Sequence, residues 1–400
     1  MSSKRAGQGL DFLEEVRHKF KVHRLWVRRQ NGGSKADFSH YDLSRMPLNC
    51  VLLSNARMIG VCLAGASLVN ADLSSALLTM ADLSGADLSG ANLLGADLRG
   101  ACLNGANLTQ ANLAGAELGV NQIRIDPGGD PAKGAITRRT ELIDANLARA
   151  LLAGAKMENC DLTGAELVDA DLTGADLSGA IMVATDLTGV TLTNATLTGA
   201  VLAGSRMEAT LRDHVIALGG QVSGGPHLEE ADFRAMLLLH QQWMESGGTG
   251  GRRLELDMID LSGIDCRGAN LSGAKIRRSV LNGVCLSGAS LVMADLAYCD
   301  CSQADFSDAD LSGALLRRAD LSGANLNGAK LDSVPLGGDP ERPWPANLQF
   351  SRMIDADLRV ASARGAILHG VDLTGAQVNL TLIKEADTKG ATRPRGAVAA

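Results

Sequence analysis

Residues 81–100 read ADLSG ADLSG ANLLG ADLRG, and this unit of five residues decides the fold of most of the chain. Each unit has Ala, then Asp or Asn, then Leu, a variable residue and Gly. Five residues advance an α-helix by about 500°, so leucines with this spacing would spread around the helix. In a β-strand the same leucines would alternate between the two faces. The period therefore predicts neither regular element.

The pattern fits a coil in which two residues of each unit point inward and the last two turn a corner. The Ala and Leu positions are two residues apart, so both can face inward along a short extended piece. Gly at the fifth position tolerates the positive φ that a tight turn often requires. We therefore expect Leu88 and Leu93 to be buried, and Asp87 and Arg99 to face solvent.

This tandem pattern, A(D/N)LXX, resembles that of the pentapeptide-repeat family over most of the chain. The resemblance implies an all-β solenoid, namely a right-handed quadrilateral β-helix of pentapeptide repeats. It implies four pentads per coil, with the Ala and Leu columns stacked inside. A solenoid also suits a chain with few aromatic residues, because each coil buries its neighbours' Leu side chains.

Segments of different composition interrupt the repeats and define nine regions. Gly and Pro break the register in the two loops, and helical spacing of apolar residues marks the two caps. In chain order we predict a basic capping helix at 1–35, pentads at 36–118, a loop insertion at 119–139, pentads at 140–209, a linker and second capping helix at 210–253, pentads at 254–336, a loop insertion at 337–345, pentads at 346–388 and a disordered tail at 389–400.

The order of these regions occurs twice. His23 and Trp26 are followed by a Gly pair, and so are His240 and Trp243. Seventeen pentads follow each helix, and both loops contain the sequence Gly-Gly-Asp-Pro. We infer a tandem duplication that produces two stacks, each preceded by its own α-helical cap. Trp26 and Trp243 are expected to pack each helix onto the first coil of its stack.

The net charge of −7 is distributed unevenly, because the first 35 residues, which we call the head, are basic. Residues 1–35 contain nine Lys and Arg against three Asp and Glu. Basic amphipathic helices can bind membranes or nucleic acid, but a stack also needs a cover for the apolar surface and open strand edge of its first coil. We expect the head to act as a cap, and whether it also binds stays open.

The eight cysteines are interpreted as structural residues. Several occupy Ala or Leu positions, where a thiol acts as a small hydrophobic group. Only Cys299 and Cys301 weakly match zinc-ligand spacing. No run of eighteen apolar residues exists and the first residues lack the apolar segment of a signal peptide, so we expect no membrane span and a cytoplasmic, bacterial-type protein.

No motif indicates catalysis. The seven His residues form no H-x-H or H-x-x-x-H pair, and neither a nucleophile elbow nor a P-loop is present. His23 and His240 recur at equivalent cap positions, which favours a structural hydrogen bond over a metal ligand. We expect a non-enzymatic protein without metal or cofactor.

The predicted function is a protein–protein interaction scaffold, and the alternative is a DNA-mimicking modulator of DNA gyrase or topoisomerase. The alternative comes from the resemblance, because some pentapeptide-repeat proteins imitate a DNA duplex and act on gyrase. Mimicry needs acid along one side of the stack, whereas four consecutive pentads should surround a single coil with Asp295, Asp300, Asp305 and Asp310. Turn formation and solubility explain these residues more simply. The partner is an unidentified protein; nucleic acid is not expected, and homodimerisation stays open.

One side of the second stack carries a candidate partner site. The pairs Arg277–Arg278 and Arg317–Arg318 are forty residues apart, so two coils place them on one side with Tyr298 between. Arg and Tyr are enriched where interfaces carry their energy. Four neighbouring positive charges should also repel until a partner's acid or phosphate relieves them. Chance coincidence of two Arg pairs at exposed corners is the simpler alternative.

Overall fold

The computed structural model describes residues 9–124, 135–339 and 341–392. The chain divides into two compact units, Met1–Val222 and Ser223–Ala400, which we call unit 1 and unit 2. The division lies inside the segment 210–253, which the sequence assigns to a linker and the second cap. Residues 210–222 therefore belong to the end of unit 1.

Each pentad is a short extended piece followed by a tight turn. Ala81 and Leu83 are fully buried, whereas Asp82 between them is half-buried. The Ala86 N–H donates to the Leu83 carbonyl at 3.1 Å and closes a β-turn. Gly85 has a φ of 61° in this turn, a conformation that Gly adopts without steric cost. The inward Ala and Leu positions and the corner Gly are as the repeat predicts.

The pentads lie side by side at a spacing of twenty residues. Asp82 pairs in parallel with Cys62 on one side and Cys102 on the other. The Leu83 N–H donates to the Cys102 carbonyl at 2.7 Å, and the Asp82 N–H donates to the Val61 carbonyl at 2.9 Å. Four such columns of parallel bridges run through unit 1, beginning at Asp37, Asp42, Pro47 and Leu52. Four pentads thus bring the chain back beside itself, and we call each such set of four a coil.

Longer pairings form eight short strands among the described residues. Two pairs are parallel neighbours in successive coils of unit 2, and two antiparallel pairs lie in the insertions. In chain order they are β1 (Asn121–Arg124), β2 (Ala135–Arg138), β3 (Glu255–Asp257), β4 (Lys275–Arg277), β5 (Val334–Pro335), β6 (Pro343–Trp344), β7 (Asp357–Leu358) and β8 (Gln377–Val378).

Both insertions contain antiparallel strand pairs: β1 pairs with β2 and β5 pairs with β6. The second insertion begins at β5, earlier than the predicted 337–345, so the last pentad predicted within 254–336 does not form. The buried hydroxyl of Thr140 holds the first insertion, because it donates to the Gly119 carbonyl at 2.8 Å and accepts the Gly100 N–H at 2.9 Å. The indole N–H of Trp344 holds the second by donating to the Gly313 carbonyl at 3.0 Å. Residues 125–134 and 340, which include parts of the two Gly-Gly-Asp-Pro sequences, lie outside the described residues.

Four α-helices lie at the ends of the stacks, and the 3₁₀-helix Leu336–Gly338 lies in the second insertion. The α-helices are α1 (Gly9–Val27), α2 (Ala209–Ala217), α3 (Glu230–Glu245) and α4 (Leu380–Glu385). The sequence predicts α1 and α3 but not α2 or α4. Val215 of α2 is fully buried in the core of unit 1, and Gln221 beyond it pairs in parallel with Val201. Helix α2 therefore closes the far end of unit 1.

The end of unit 2 differs from the sequence prediction in one further respect. A disordered tail is predicted from residue 389, but the Thr392 N–H donates to the Val371 carbonyl at 2.9 Å. Residues 389–392 therefore continue the unit, and the remainder of the predicted tail, 393–400, lies outside the described residues. Among the described helices, none has the length and apolar character needed to cross a bilayer.

Candidate interaction surface

The residues of the predicted partner site occupy one corner position on three successive coils. Arg278, Tyr298 and Arg318 have φ values of 51°, 62° and 53°, where most pentads of this chain place Gly. A left-handed conformation costs a side-chain-bearing residue about 1–2 kcal/mol. The Arg278 N–H donates to the Ala297 carbonyl at 3.1 Å, and the Tyr298 N–H donates to the Arg317 carbonyl at 3.0 Å. The structure thus brings all five predicted residues, Arg277 and Arg317 included, to one side of unit 2.

The charge of this side differs from the sequence prediction of four mutually repelling cations. Arg278 forms an ion pair with Asp257, with its Nε 2.8 Å from Oδ1. Arg277 pairs with the carboxylate of Asp295. Both acids lie on neighbouring coils, so the positive charge of this side is partly neutralised within the chain. Acids of the chain itself therefore already relieve part of the repulsion that a partner's acid or phosphate is expected to relieve.

The other two arginines contact aromatic residues. Arg317 Nη1 donates to the hydroxyl of Tyr298 at 3.4 Å. The guanidinium of Arg318 lies 5.2 Å from the ring centroid of Phe350, within the range of a cation–π interaction. These contacts orient the guanidinium groups along the surface.

Two members of this surface are missed by sequence reasoning. The Met258 N–H donates to the Arg277 carbonyl at 3.1 Å, and the Arg318 N–H donates to the Gln349 carbonyl at 2.9 Å. One corner column of five successive coils therefore carries Met258, Arg278, Tyr298, Arg318 and Phe350, and we call it the Arg–aromatic column. Counting twenty residues from Arg318 does not find Phe350, because the second insertion lengthens this coil. Leu315 pairs with Asn347, which lies thirty-two residues later instead of twenty. Removing the insertion before counting would reveal it.

The cap residues form the same arrangement in both units. His23 Nδ1 accepts the Ala36 N–H at 3.0 Å, and His240 Nδ1 accepts the Leu254 N–H at 3.1 Å. Both imidazoles are fully buried, and burial lowers the pKa of each below its usual value. The ring of Trp26 stacks on His23 with centroids 5.4 Å apart, and Trp243 stacks on His240 at 5.5 Å.

In the second cap the Trp243 ring lies beside Gly273 of the first coil, as expected, but the buried contact of the first cap differs from the one expected. Trp26 keeps 37% of its surface exposed, and the apolar residues of α1 that reach the core are Phe12 and Val16. In α3 the buried residue is Phe233, which aligns with Val16. The tryptophans therefore cover the buried histidines, and Phe and Val side chains pack the helices onto the coils.

The described part of the chain offers no metal centre, and its buried thiols are unreactive. No cluster of three or more His, Cys, Asp or Glu there could hold a metal ion. Burial raises the pKa of the Cys266 and Cys299 thiols to about 12, and the Cys299 thiol donates to the Ile276 carbonyl. Since the thiolate is the nucleophilic form, these cysteines are inert.

The Asp and Asn side chains of the pentads are engaged in the turns. Asp82 Oδ1 accepts the N–H and the hydroxyl of Ser84 at 3.0 and 2.6 Å, and the same bond to the residue two positions on recurs in many pentads. The four consecutive aspartates of unit 2 pair in four different columns. They are Asp295, Asp300, Asp305 and Asp310. They surround one coil and do not form a line of acid along one side.

A model of pentapeptide repeats matches residues 34–119, 140–210, 259–292, 294–334 and 346–377, which is more than half of the chain. The chain belongs to the pentapeptide-repeat family. A comparison of this pentapeptide-repeat protein with curated proteins finds no match.

Solved structures of pentapeptide-repeat proteins are similar to this chain at low identity. Rfr23 from the cyanobacterium Cyanothece 51142 is 25% identical over 32% of this chain, which spans 64% of Rfr23, with a TM-score of 0.22. HetL from Nostoc sp. strain PCC 7120, involved in heterocyst differentiation regulation, is 22% identical over 80% of this chain and 92% of its own, with a TM-score of 0.17. QnrB1, a plasmid-mediated fluoroquinolone resistance protein, is 12% identical over 89% and 94%, with a TM-score of 0.18. These superpositions carry no argument about function.

Proposed function

We propose that this pentapeptide-repeat protein is a non-enzymatic scaffold that binds a protein partner through the Arg–aromatic column of unit 2. One observation carries the proposal: five successive coils place guanidinium groups and large apolar side chains at the same corner. Arg278 and Arg318 are half-buried, and Phe350 keeps 46% of its surface exposed. The column therefore offers apolar area and charged donors together.

The chemistry of the column suits a protein surface that combines carboxylates with apolar groups. Guanidinium groups form strong, directed hydrogen bonds to carboxylates, and flat rings bury large apolar area in interfaces. Asp257 and the ring of Phe350 already orient two of the guanidinium groups. Binding then costs less side-chain entropy, because the donors are held before the partner arrives.

We further propose that each unit is a right-handed quadrilateral β-helix of a cytoplasmic protein. The parallel bridges at a spacing of twenty residues support this geometry. A non-enzymatic role is supported by the interior, where the Ala and Leu columns are buried. Catalysis needs chemical groups that converge in a pocket, and an interior filled by these side chains leaves them no room.

The test is affinity capture with the full-length chain from its native cell, followed by a substituted chain. The triple variant carries Arg278→Ser, Tyr298→Ser and Arg318→Ser, and we expect it to lose the captured partner. Its melting temperature should change little, because exposed ion pairs contribute about 0–1 kcal/mol. The matched control carries His40→Ser and Met80→Ser at the same column of unit 1. Recovery of the same partner at wild-type yield by the triple variant contradicts the proposal.

The alternative, modulation of DNA gyrase by DNA mimicry, has less support because the acidic side chains of unit 2 surround a coil and accept turn hydrogen bonds. A DNA supercoiling assay decides between the two functions. We expect the full chain neither to inhibit nor to protect the enzyme at low micromolar concentration. Inhibition or protection there would favour the alternative.

A further inference from the structure

The cap of unit 1 carries a groove whose charge is not explained by capping. The groove has a volume of about 530 Å³ and lies between α1 and the early pentads. Its lining comprises four basic residues, three apolar residues and one thiol: Arg17, Lys21, Arg24, Arg28, Phe20, Val51, Leu52 and Cys50. We call it the basic groove.

The four basic residues form one line along α1 and the turn that directly follows it, where the Arg28 N–H donates to the Arg24 carbonyl at 3.1 Å. Their spacing of four, three and four residues places them on the same face, over about 16 Å of helix. All four are exposed, and the structure gives none of their side chains a carboxylate or hydrogen-bond partner within its described ranges. Like charges with this spacing destabilise a helix. A line of this kind therefore needs an explanation beyond the fold.

Other cations of the same helix show what structural cations do. Lys19 donates to the Asp37 carbonyl at 3.0 Å and lies 5.1 Å from the ring centroid of Tyr41, so it fastens α1 to the first coil. The helix dipole favours a cation in the last turn, which accounts for Arg24. Neither reason applies to Arg17 or Lys21, which lie earlier and make no such contact.

The second cap provides an internal comparison. Aligned on the His–Trp pairs, the basic line of α1 corresponds to Arg234, Leu238, Gln241 and Glu245 of α3. Arg234 is paired with Glu230, with its Nε 3.0 Å from Oε1, and Gln241 donates to Glu245 at 2.9 Å. A cap with the same His–Trp arrangement thus forms without a basic face, and the line on α1 is specific to unit 1.

We propose that the basic groove binds an acidic amphipathic helix of a protein partner. A helix with carboxylates at the same spacing presents one acid to each cation of α1, because both helices have the same rise. Its apolar face would meet Phe20, Val51 and Leu52, as in other complexes where a helix lies in a groove. The site lies on unit 1 and is independent of the Arg–aromatic column.

Two other ligand classes fit the groove less well. A single phosphate cannot reach cations spread over about 16 Å. A nucleic-acid strand would place phosphates beside the cations, but its backbone has no apolar surface to bury against Val51 and Leu52. Phe20 is half-buried, so it is not a free platform on which a base can stack.

The probe is a fluorescein-labelled helical peptide that carries Glu at the spacing of Arg17, Lys21, Arg24 and Arg28, with Leu between them on the same face. Binding to the full-length chain is measured by fluorescence anisotropy at low and high salt. We expect binding that weakens with salt, and no binding of a matched peptide with Gln in place of Glu. Equal binding of both peptides overturns the proposal.

The protein variants separate the groove from general charge. The variant Arg17→Gln, Lys21→Gln and Arg24→Gln should bind the Glu peptide about tenfold more weakly, since each exposed ion pair contributes about 0.5 kcal/mol. The control Arg29→Gln, Lys35→Gln and Arg45→Gln removes the same charge from exposed residues outside the groove and should bind as the wild type does. Circular dichroism confirms that both variants fold. Wild-type affinity of the first variant overturns the proposal.

Cys50 locates the bound peptide. Its thiol is exposed in the groove, whereas Cys62 of the same unit is half-buried elsewhere. Saturating Glu peptide should slow alkylation of Cys50 by iodoacetamide and leave Cys62 unchanged, as read by peptide mass spectrometry. An unchanged Cys50 rate overturns the proposal. So does a fluorescein-labelled oligothymidylate that binds more tightly than the peptide, which would assign the groove to nucleic acid.

Discussion

Units 1 and 2 are built from the same pentads and capped by the same His–Trp pair, yet their surfaces differ. The first cap has a basic line where the second has Leu238 and Gln241. The corner column of unit 2 holds Arg278, Tyr298 and Arg318, whereas the equivalent residues of unit 1 are Gly60, Met80 and Gly100. Positions that the fold constrains agree between the units, and positions that it leaves free diverge. We therefore expect the residues that bind partners to lie at the divergent positions.

The constrained positions predict the largest effects. Leu88 is fully buried in unit 1, and its equivalent in unit 2 is the fully buried Phe306. Replacing Leu88 by Ala should lower the free energy of unfolding by about 2–5 kcal/mol, through lost burial and the cavity that remains. Urea denaturation of the full chain measures this change.

The control for this prediction is the preceding residue. Asp87 Oδ1 accepts the Ser89 N–H at 3.1 Å and the side-chain amide of Asn107 at 3.0 Å. Asp87→Ala should cost near the lower end of the range for its two bonds, about 1 kcal/mol in all, because the half-exposed partners can turn to water, and this is less than the loss at Leu88. Equal losses at the two residues would show that the inward register is wrong.

The autonomy of the units is the second prediction. A fragment of residues 1–222 includes α2, and burial of its Val215 contributes about 1.5–3 kcal/mol. We expect this fragment to melt cooperatively by circular dichroism and residues 1–208 to melt at a lower temperature. Identical melting temperatures of the two fragments would show that α2 does not stabilise the end of unit 1. A 1–222 fragment that is soluble only with unit 2 would show that unit 1 is not autonomous.

The matched histidines predict a smaller, pH-dependent effect. Burial lowers the pKa of His23 from its usual value of 6.5, so the folded state holds the neutral imidazole and binds fewer protons than the unfolded state. Stability is then complete above pH 6.5 and falls as the pH drops below it, by at most about 1.4 kcal/mol per pH unit. Protonation would also remove the acceptor of the Ala36 N–H.

Melting temperatures of residues 1–222 between pH 5 and pH 8 measure this effect. His23→Asn keeps a side-chain acceptor but does not titrate, so its melting temperature should depend less on pH. An equal acid slope in the variant would assign the effect to other groups. The corresponding substitution His240→Asn should act in unit 2 in the same way.

The sequence predicts most of the inward structure because burial follows from the pentad itself. Leu88 and Leu93 are buried as expected, and the twenty-residue spacing brings Arg278, Tyr298 and Arg318 together. Each pentad specifies its own two inward residues and its own turn, so local pattern is sufficient. The exposure of the outward residues is predicted less well. Arg99 is exposed, but Asp87 is only half-exposed because it accepts turn hydrogen bonds.

What the sequence misses depends on contacts between distant residues. Helix α2 is short and has no repeat, and the packing of Val215 and Leu211 on the core reveals its role. Phe350 joins the column after an insertion that disrupts the count. Asp257 and Asp295 neutralise two arginines from neighbouring coils, and nothing in the local sequence of the Arg pairs indicates it. The basic groove also requires α1 to be placed against Val51 and Leu52.

In the proposed function, the Arg–aromatic column of unit 2 contacts the partner and the equivalent column of unit 1 does not. The direct measurement is photo-crosslinking in the native cell, with p-benzoylphenylalanine replacing Tyr298 in one full-length chain and Met80 in another. We predict a crosslinked partner, identified by mass spectrometry, from position 298 and none from position 80. A partner crosslinked from position 80 but not from position 298 would show that the partner does not bind at the Arg–aromatic column.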